Sequence, residues 1–356
     1  MSTRKMNKAI IEDKDIFLGL EDSKRTWKVN VRSGGMEVHQ TTMPAQLEVL
    51  LGYLKNGFPK CRIHLMYEAG FKGFGLHDDL VARGIHCVVI PPHLVTEAKV
   101  SKIKTDKRDA RRLAKILENG DYQSQCFVPD QERREDRQIS RTLVGIQKEI
   151  KATKNRVMKL FDFHGIAVPE RKLWSKAGML FLRNVELSEP LKVSLDALLV
   201  VLAVLEETKK KLRVYLFGIA KKPRYAKAFK LIESMPGISW FTAIRLVLEL
   251  GEDLNRFSSG KHIASFAGLV CSEYSTGDEV RKGGITHIGS SLIRTMLVEC
   301  AWVAIRKDPV LSNKFHRVYS SVHRKKTAIV AVARMMLVRL RACVISGTPY
   351  QLCVAN

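Results

Sequence analysis

Up to about residue 120 the apolar positions come in short runs broken by polar or glycine-rich stretches. Beyond it they recur every three or four residues over long spans. Ile16–Leu20 and Trp27–Val31 read as strands, and Gly34-Gly35 predicts a tight hairpin turn into a third strand over Met36–Thr42. Pro44 opens a helical stretch over Ala45–Leu54, and Cys61–Met66 alternates as a further strand. A segment punctuated by Gly70, Gly73 and Gly75 leads into a helix to about Arg83. His86–Ile90 then reads as a buried strand that Pro91-Pro92 stops. Three strands in succession, then strands alternating with helices, predict a sheet with an antiparallel flank and a parallel remainder.

From Asp130 the period changes. Ile139, Leu143, Ile146, Ile150, Val157 and Leu160 follow heptad spacing, with Thr153 in the missing slot. Leu195, Leu198, Leu202, Leu205, Leu212 and Leu216 do the same, with Lys209 in the seam. Two such helices can pair as an antiparallel coiled coil, and two ordinary amphipathic helices on a core fit the same spacing. The last third, from about Lys227, is mostly helical, with turns at Pro236-Gly237, Gly251, Gly268, Gly277, Gly283-Gly284 and Gly289. The expected architecture is an α/β domain of RNase H-type strand order over 1–125. A helical, coiled-coil segment over 126–226 and a mostly α-helical domain over 227–356 follow it.

Composition sharpens this picture. Among 356 residues, 60 Lys+Arg against 36 Asp+Glu give a net charge of +24, while 46% hydrophobic content excludes a disordered chain. So large a surplus points to a polyanionic partner, nucleic acid; a protein merely kept soluble by its charge is the alternative. The apolar run Leu195–Leu205 is interrupted by Asp196 and closed by Glu206-Glu207, and Ala328–Ile345 carries Arg334, Arg339 and Arg341, so no membrane span is expected. The first residues hold no secretory core. Seven scattered cysteines without a Cys-x-x-Cys pair fit a reducing, cytoplasmic setting.

The candidate chemistry is acidic. Asp106 and Asp109 stand three apart, which places both on one helical face, within a basic segment containing Lys102, Lys104, Lys107, Arg108, Arg111 and Arg112. Those cations favour ionised carboxylates and suit a phosphodiester; a solvated helix laced with Asp–Arg pairs reads the same way. Glu21 ends the first strand and Glu68 a later one. Carboxylates at strand ends beside a helical Asp pair are what an RNase H-type site for Mg²⁺ (or Mn²⁺) needs, because hard cations take oxygen ligands. Ser234-Met-Pro-Gly237-Ile-Ser239, between two helical stretches, suggests a helix–hairpin–helix whose Gly237 turn holds a phosphate, or a plain tight turn between packed helices. Trp240 and Trp302, among apolar neighbours, are expected in the core.

These motifs resemble a known family. Gly19-Leu-Glu21-Asp-Ser-Lys24, Tyr67-Glu68-Ala-Gly70 and Lys104-Thr-Asp106-x-x-Asp109-Ala110 are similar to the acidic motifs of the DEDD insertion-sequence transposases related to the Piv invertase. The likeness continues collinearly through Met235-Pro-Gly-Ile-Ser, Arg256-Phe-Ser-Ser, Phe266-Ala-Gly-Leu269, Ser272-Glu-Tyr-Ser-Thr-Gly277, Gly284-Ile-Thr, Gly289 and Leu292-Ile-Arg294. One departure is that the family's first aspartate stands here as Glu21, one methylene longer.

The resemblance implies a RuvC-like catalytic domain with Glu21, Glu68, Asp106 and Asp109 on Mg²⁺, a coiled-coil insert, and a C-terminal domain with an essential serine. That serine attacks DNA to form a 5′-phosphoserine link. Ser275 is the favoured position and Thr276 the alternative, with Arg281, Lys282 and Arg294 as charge stabilisers. Implied partners are element-end and target DNA, an element-encoded noncoding guide RNA, and further copies of the chain as a dimer or tetramer. A metal-dependent resolvase or nuclease using water, and a non-catalytic nucleic-acid-binding relative, fit the same residues.

Overall fold

A computed structural model describes residues 14–92, 106–122, 125–169, 173–276, 279–286 and 288–352. The chain divides into two compact units, Met1–Pro129 and Asp130–Asn356.

In the first unit, β1 (Asp15–Asp22), β2 (Thr26–Ser33), β3 (Met36–Pro44), β4 (Arg62–Glu68) and β5 (His86–Ile90) form one sheet in the order β3-β2-β1-β4-β5. The β1–β2 and β2–β3 pairs are antiparallel; β1–β4 and β4–β5 are parallel. This is the mixed sheet expected from the strand spacing, and it fits an RNase H-like domain. Gly34 and Gly35, with φ of 59° and 79°, supply the two positive-φ positions that the β2–β3 hairpin requires. Helices α1 (Leu47–Gly57) and α2 (Gly75–Val81) cover one face, where Leu50, Leu54 and Leu80 meet Ile16, Leu18, Leu20, Leu65 and Val89. Helix α3 (Asp106–Asn119) covers the other, with Leu113 and Leu117 against Met66, Val88 and Ile90.

Among the described residues, the second unit is helical apart from one ribbon. Helices α4 (Gln131–Phe163) and α6 (Glu189–Ala220) pack together, with α5 (Lys176–Asn184) between them in the chain. Their pairing is antiparallel: Leu143 clusters with Leu216 and Ile219, whereas Val157 and Phe161 cluster with Leu195 and Leu199. Thr153, the residue in the vacant heptad slot, is fully buried. Beyond them lie α7 (Pro223–Glu233), α8 (Trp240–Leu250), α9 (Gly260–Phe266), the β6–β7 ribbon (Cys271–Thr276, Glu279–Ile285), α10 (Ser291–Ala304), α11 (Pro309–Val322) and α12 (Lys325–Ser346). One core runs from Leu143 and Leu216 through Val247 and Leu297 to Met336, so the long helices and the last third share it. Among the described residues, no helix is long and apolar enough to cross a membrane.

Ion pairs tie the start of α4 to α7. Asp130 caps α4 by accepting from the Arg133 N–H at 3.0 Å and takes Arg224 Nη1 at 2.7 Å, while Lys222 donates to Glu132 at 3.0 Å. Hydrogen bonds from Arg224 and Lys222 hold the Asp130 and Glu132 carboxyls below their ordinary range. Their contribution is therefore complete above the ordinary carboxylate pKa and disappears as acid protonates the folded form. The melting temperature of the chain is expected to fall steadily from about pH 5 to about pH 3. Arg224→Ala should flatten that slope, as followed by circular dichroism; an unchanged slope contradicts the assignment.

Candidate active site

Gly19, in the middle of β1, decides where the first unit gathers its acids. A Cβ there would lie 2.0 Å from the Ala110 carbonyl oxygen and 2.4 Å from the Ala114 nitrogen, so α3 rests directly on the strand backbone. The far end of α3 is pinned at the opposite edge, where Glu118 accepts from Arg32 Nε at 2.6 Å and from the Gly35 N–H at 2.8 Å. With Ala110 over Gly19, the N-terminal turn of α3 points toward the end of β1. The helix rises about 1.5 Å per residue, so Asp109 and the Asp106 backbone lie at that end of the sheet.

Glu21 and Glu68 finish the neighbouring parallel strands there. Leu20 pairs with Tyr67, so the two glutamates follow at the same level. Strand alternation puts them on the face of Gly19 and Met66, the face that α3 covers. Glu21 and Glu68 thus share one face and one end of the sheet, the end toward which the first turn of α3 points. Only the backbone of Asp106 is described. Among the described residues, no group of three or more His, Cys, Asp and Glu side chains stands close enough to hold a metal ion.

The environment of the acids separates them by task. Asp15 pairs with Arg62 and His64, Asp22 with Lys72, Glu37 with Arg111, and Glu118 with Arg32. Glu68 and Asp109 are half-buried, and among the described residues neither has a hydrogen-bond or ion-pair partner. A half-buried carboxylate with no protein donor is costly unless a cation answers it. An all-oxygen donor set at the ends of adjacent strands fits Mg²⁺ or Mn²⁺ rather than a thiolate-binding or imidazole-binding metal.

Of the basic residues around the Asp pair, Lys104 lies outside the described residues. Arg111 donates to both Glu37 oxygens, at 2.6 and 3.2 Å, and to Gln40 Oε1 at 3.1 Å, so its fork is engaged within the fold. Lys107 and Arg108 are exposed and Arg112 half-buried.

In the second unit, β6 and β7 form an antiparallel ribbon in which Ser275 pairs with Val280 and Thr276 with Glu279. Both hydroxyl-bearing residues therefore sit at the last paired positions of the ribbon. Only the backbone is described for Ser275, Thr276, Arg281 and Lys282.

Two profiles of known families match the chain. One for DEDD transposases of the IS110 type, described as "Transposase", spans residues 24–166, and one described as "Transposase IS116/IS110/IS902 family" spans residues 229–316. The chain belongs to the DEDD-type insertion-sequence transposases. The first span contains Glu68, Asp106 and Asp109 and begins just after Glu21; the second contains Ser275 and Thr276.

The transposase is 28% identical to the putative transposase y4qE of Sinorhizobium fredii, over 78% of this chain and 69% of that protein. It is 25% identical to the transposase for insertion sequence element IS1533 of Leptospira borgpetersenii, over 67% of this chain and 70% of that one. A shorter stretch, 34% of this chain and 38% of the relative, is 28% identical to the pilin gene-inverting protein of Moraxella bovis. The transposase is thus a DNA-recombining enzyme that binds element ends and target DNA, with a nuclease-like domain of a type that uses divalent metal ions.

Several motif residues of the transposase serve packing. Arg294 donates to the carbonyls of Ala267 and Gly268, at 3.4 and 3.3 Å, closing the end of α9. Gly268 has a φ of 65°, and a Cβ there would lie 2.2 Å from Arg294 Nη1. A Cβ on Gly237 would lie 2.5 Å from the Cys300 carbonyl oxygen, so the Pro236-Gly237 turn is seated on α10. Trp240, expected in the core, packs half-buried against it and also lines a surface groove. Its place on the first turn of α8 keeps it from the continuous burial that begins at Ala243. Gly19 carried a visible signal, a glycine inside an otherwise apolar strand, whose meaning needed the helix above it.

Proposed function

We propose that this transposase cuts and rejoins DNA through a phosphoserine formed at Ser275, or at Thr276, with Glu21, Glu68, Asp106 and Asp109 as the ligands of Mg²⁺. The hydroxyl oxygen attacks the scissile phosphorus and its proton leaves to a base. The bond to the 3′ oxygen breaks, and that oxygen takes up a proton as a free 3′-hydroxyl. The incoming 3′-hydroxyl reverses the step and restores the serine. Bound Mg²⁺ supplies compensation for the charge that builds on the phosphoryl oxygens. Arg281, Lys282 and Arg294 add positive charge around the ribbon. A noncoding guide RNA selects the DNA, the paired helices α4 and α6 act as a coiled coil that assembles a dimer or tetramer, and the Gly237 turn contacts a DNA backbone as a helix–hairpin–helix. The observation that supports the acidic part most directly is the half-buried, unpartnered state of Glu68 and Asp109 at the end of the sheet.

Labelled element-end DNA, target DNA and guide RNA, incubated with Mg²⁺ and run on a denaturing gel, test the reading. A protein–DNA adduct is expected with the wild type and with Thr276→Ala, and none with Ser275→Ala. An adduct that survives both substitutions together excludes these hydroxyls. Strand cleavage without any adduct assigns the attack to water.

A further inference from the structure

We infer that the groove between the C-terminal half of α6 and the start of α8 binds an unpaired nucleic-acid strand. One base lies against Phe217 and Trp240, with Lys210, Arg213 and Lys221 on the phosphates. The inference rests on the reading of the chain as a nucleic-acid enzyme and adds a binding surface on the helical unit.

The groove encloses about 520 Å³, within the range of clefts that take small rigid ligands (about 300–1,000 Å³). Two aromatic rings, Phe217 and Trp240, line it beside basic side chains. Phe217 is 44% exposed and meets Trp240 edge-on, with ring centroids 5.3 Å apart. Arg213 spreads its guanidinium over Trp240 and the neighbouring Phe241, 5.6 and 4.5 Å from their centroids. Lys221 Nζ stands 4.5 Å over Phe217. These residues share one face of α6, because positions 210, 213, 214, 217 and 221 recur at helical spacing. Leu216 and Ile219 turn to another side of α6, the one that the core uses. Phe217, on this outer face, is thus left out of the core, whereas Trp240 packs partly against it.

Charge selects the occupant. Glu206 at the rim is already taken by Lys209 at 2.5 Å and Lys154 at 3.3 Å. Among the described residues, Lys210, Arg213 and Lys221 have no carboxylate partner. Cations interleaved with the exposed Phe217 and the half-buried Trp240 match a strand that offers phosphates and free base faces together. A duplex offers only the phosphates, since its bases are stacked inside.

Fluorescence anisotropy with the full chain, without Mg²⁺, tests this with a labelled 12-mer of oligouridylate, one of oligothymidylate, and a 12-base-pair duplex. Phe217→Leu, which keeps an apolar side chain and removes the ring, should weaken single-strand binding about 5- to 50-fold and duplex binding less than about twofold. Phe217→Trp should restore it. Lys210→Ala and Lys221→Ala should each lower the salt slope of single-strand binding by about 0.7. A tighter oligouridylate complex identifies the strand as RNA and a tighter oligothymidylate complex as displaced DNA, and either order supports the groove. Equal losses on single strands and duplex, or no loss with Phe217→Leu, overturn it. If single-strand binding depends on Phe217 but the wild type neither cleaves nor forms an adduct, the groove stands and the catalytic reading fails. If cleavage is normal and Phe217→Leu binds like wild type, the reverse holds.

Discussion

Asp109→Asn and Glu68→Gln are each expected to lower Mg²⁺-dependent cleavage of element-end DNA by about 10³-fold, without lowering the melting temperature. Removing one ligand charge that answers a divalent ion forfeits several kcal/mol of transition-state stabilisation, and about 4 kcal/mol corresponds to that factor. Both side chains are half-buried with no partner among the described residues, so neutralising them breaks no protein contact. Control substitutions behave differently. Asp22→Asn and Glu118→Gln weaken the contacts with Lys72 and Arg32 and should lower stability by about 1–2 kcal/mol while sparing chemistry. A second readout does not depend on turnover: Mg²⁺ should raise the melting temperature of the wild type and leave that of the double variant unchanged. Glu21→Asp, which restores the family's aspartate, should hold cleavage within about tenfold, and Glu21→Ala should remove it. Full cleavage by the Glu68→Gln, Asp109→Asn double variant would falsify the acidic site.

Gly19→Ala carries the largest expected loss of stability. The new methyl group meets the Ala110 carbonyl oxygen at 2.0 Å and the Ala114 nitrogen at 2.4 Å, both backbone atoms of α3 that have no rotamer through which to retreat. Overpacking of this kind costs about 3 kcal/mol. For a unit of this size that is a fall on the order of 10 °C in melting temperature. The helix must lift from β1, and with it the acids of its first turn. Cleavage should therefore drop along with stability, even at temperatures where the variant is folded. A Gly19→Ala protein as stable and active as the wild type contradicts the close approach of helix and strand.

Much of the architecture is readable from local pattern. The Gly34-Gly35 turn, the alternating strands and the stop at Pro91-Pro92 each follow from backbone preferences acting within a few residues, and β2, β3 and β5 lie where these signals put them. The two long helices are likewise visible as heptad runs, with Thr153 in their gap buried as the spacing requires. The acids themselves stand out as types, at strand ends and in a pair three apart. Side-chain allegiance was not readable. Nothing near Arg111 in the chain says that Glu37 claims it, nor anything near Arg294 that the end of α9 does. That Trp240 packs against the core and yet borders a groove is decided by its place on the first turn of α8.

Periodicity, turn chemistry and acidic spacing act over a few residues, so the chain carries its strands, helices and candidate carboxylates in plain view. Where α3 rests on the sheet, and which carboxylates are spent on ion pairs, depended on contacts such as Gly19 with Ala110 and Arg32 with Glu118, far apart in the chain. Close packing between distant segments obeys shape and burial across the whole unit, and no local window of residues contains that information.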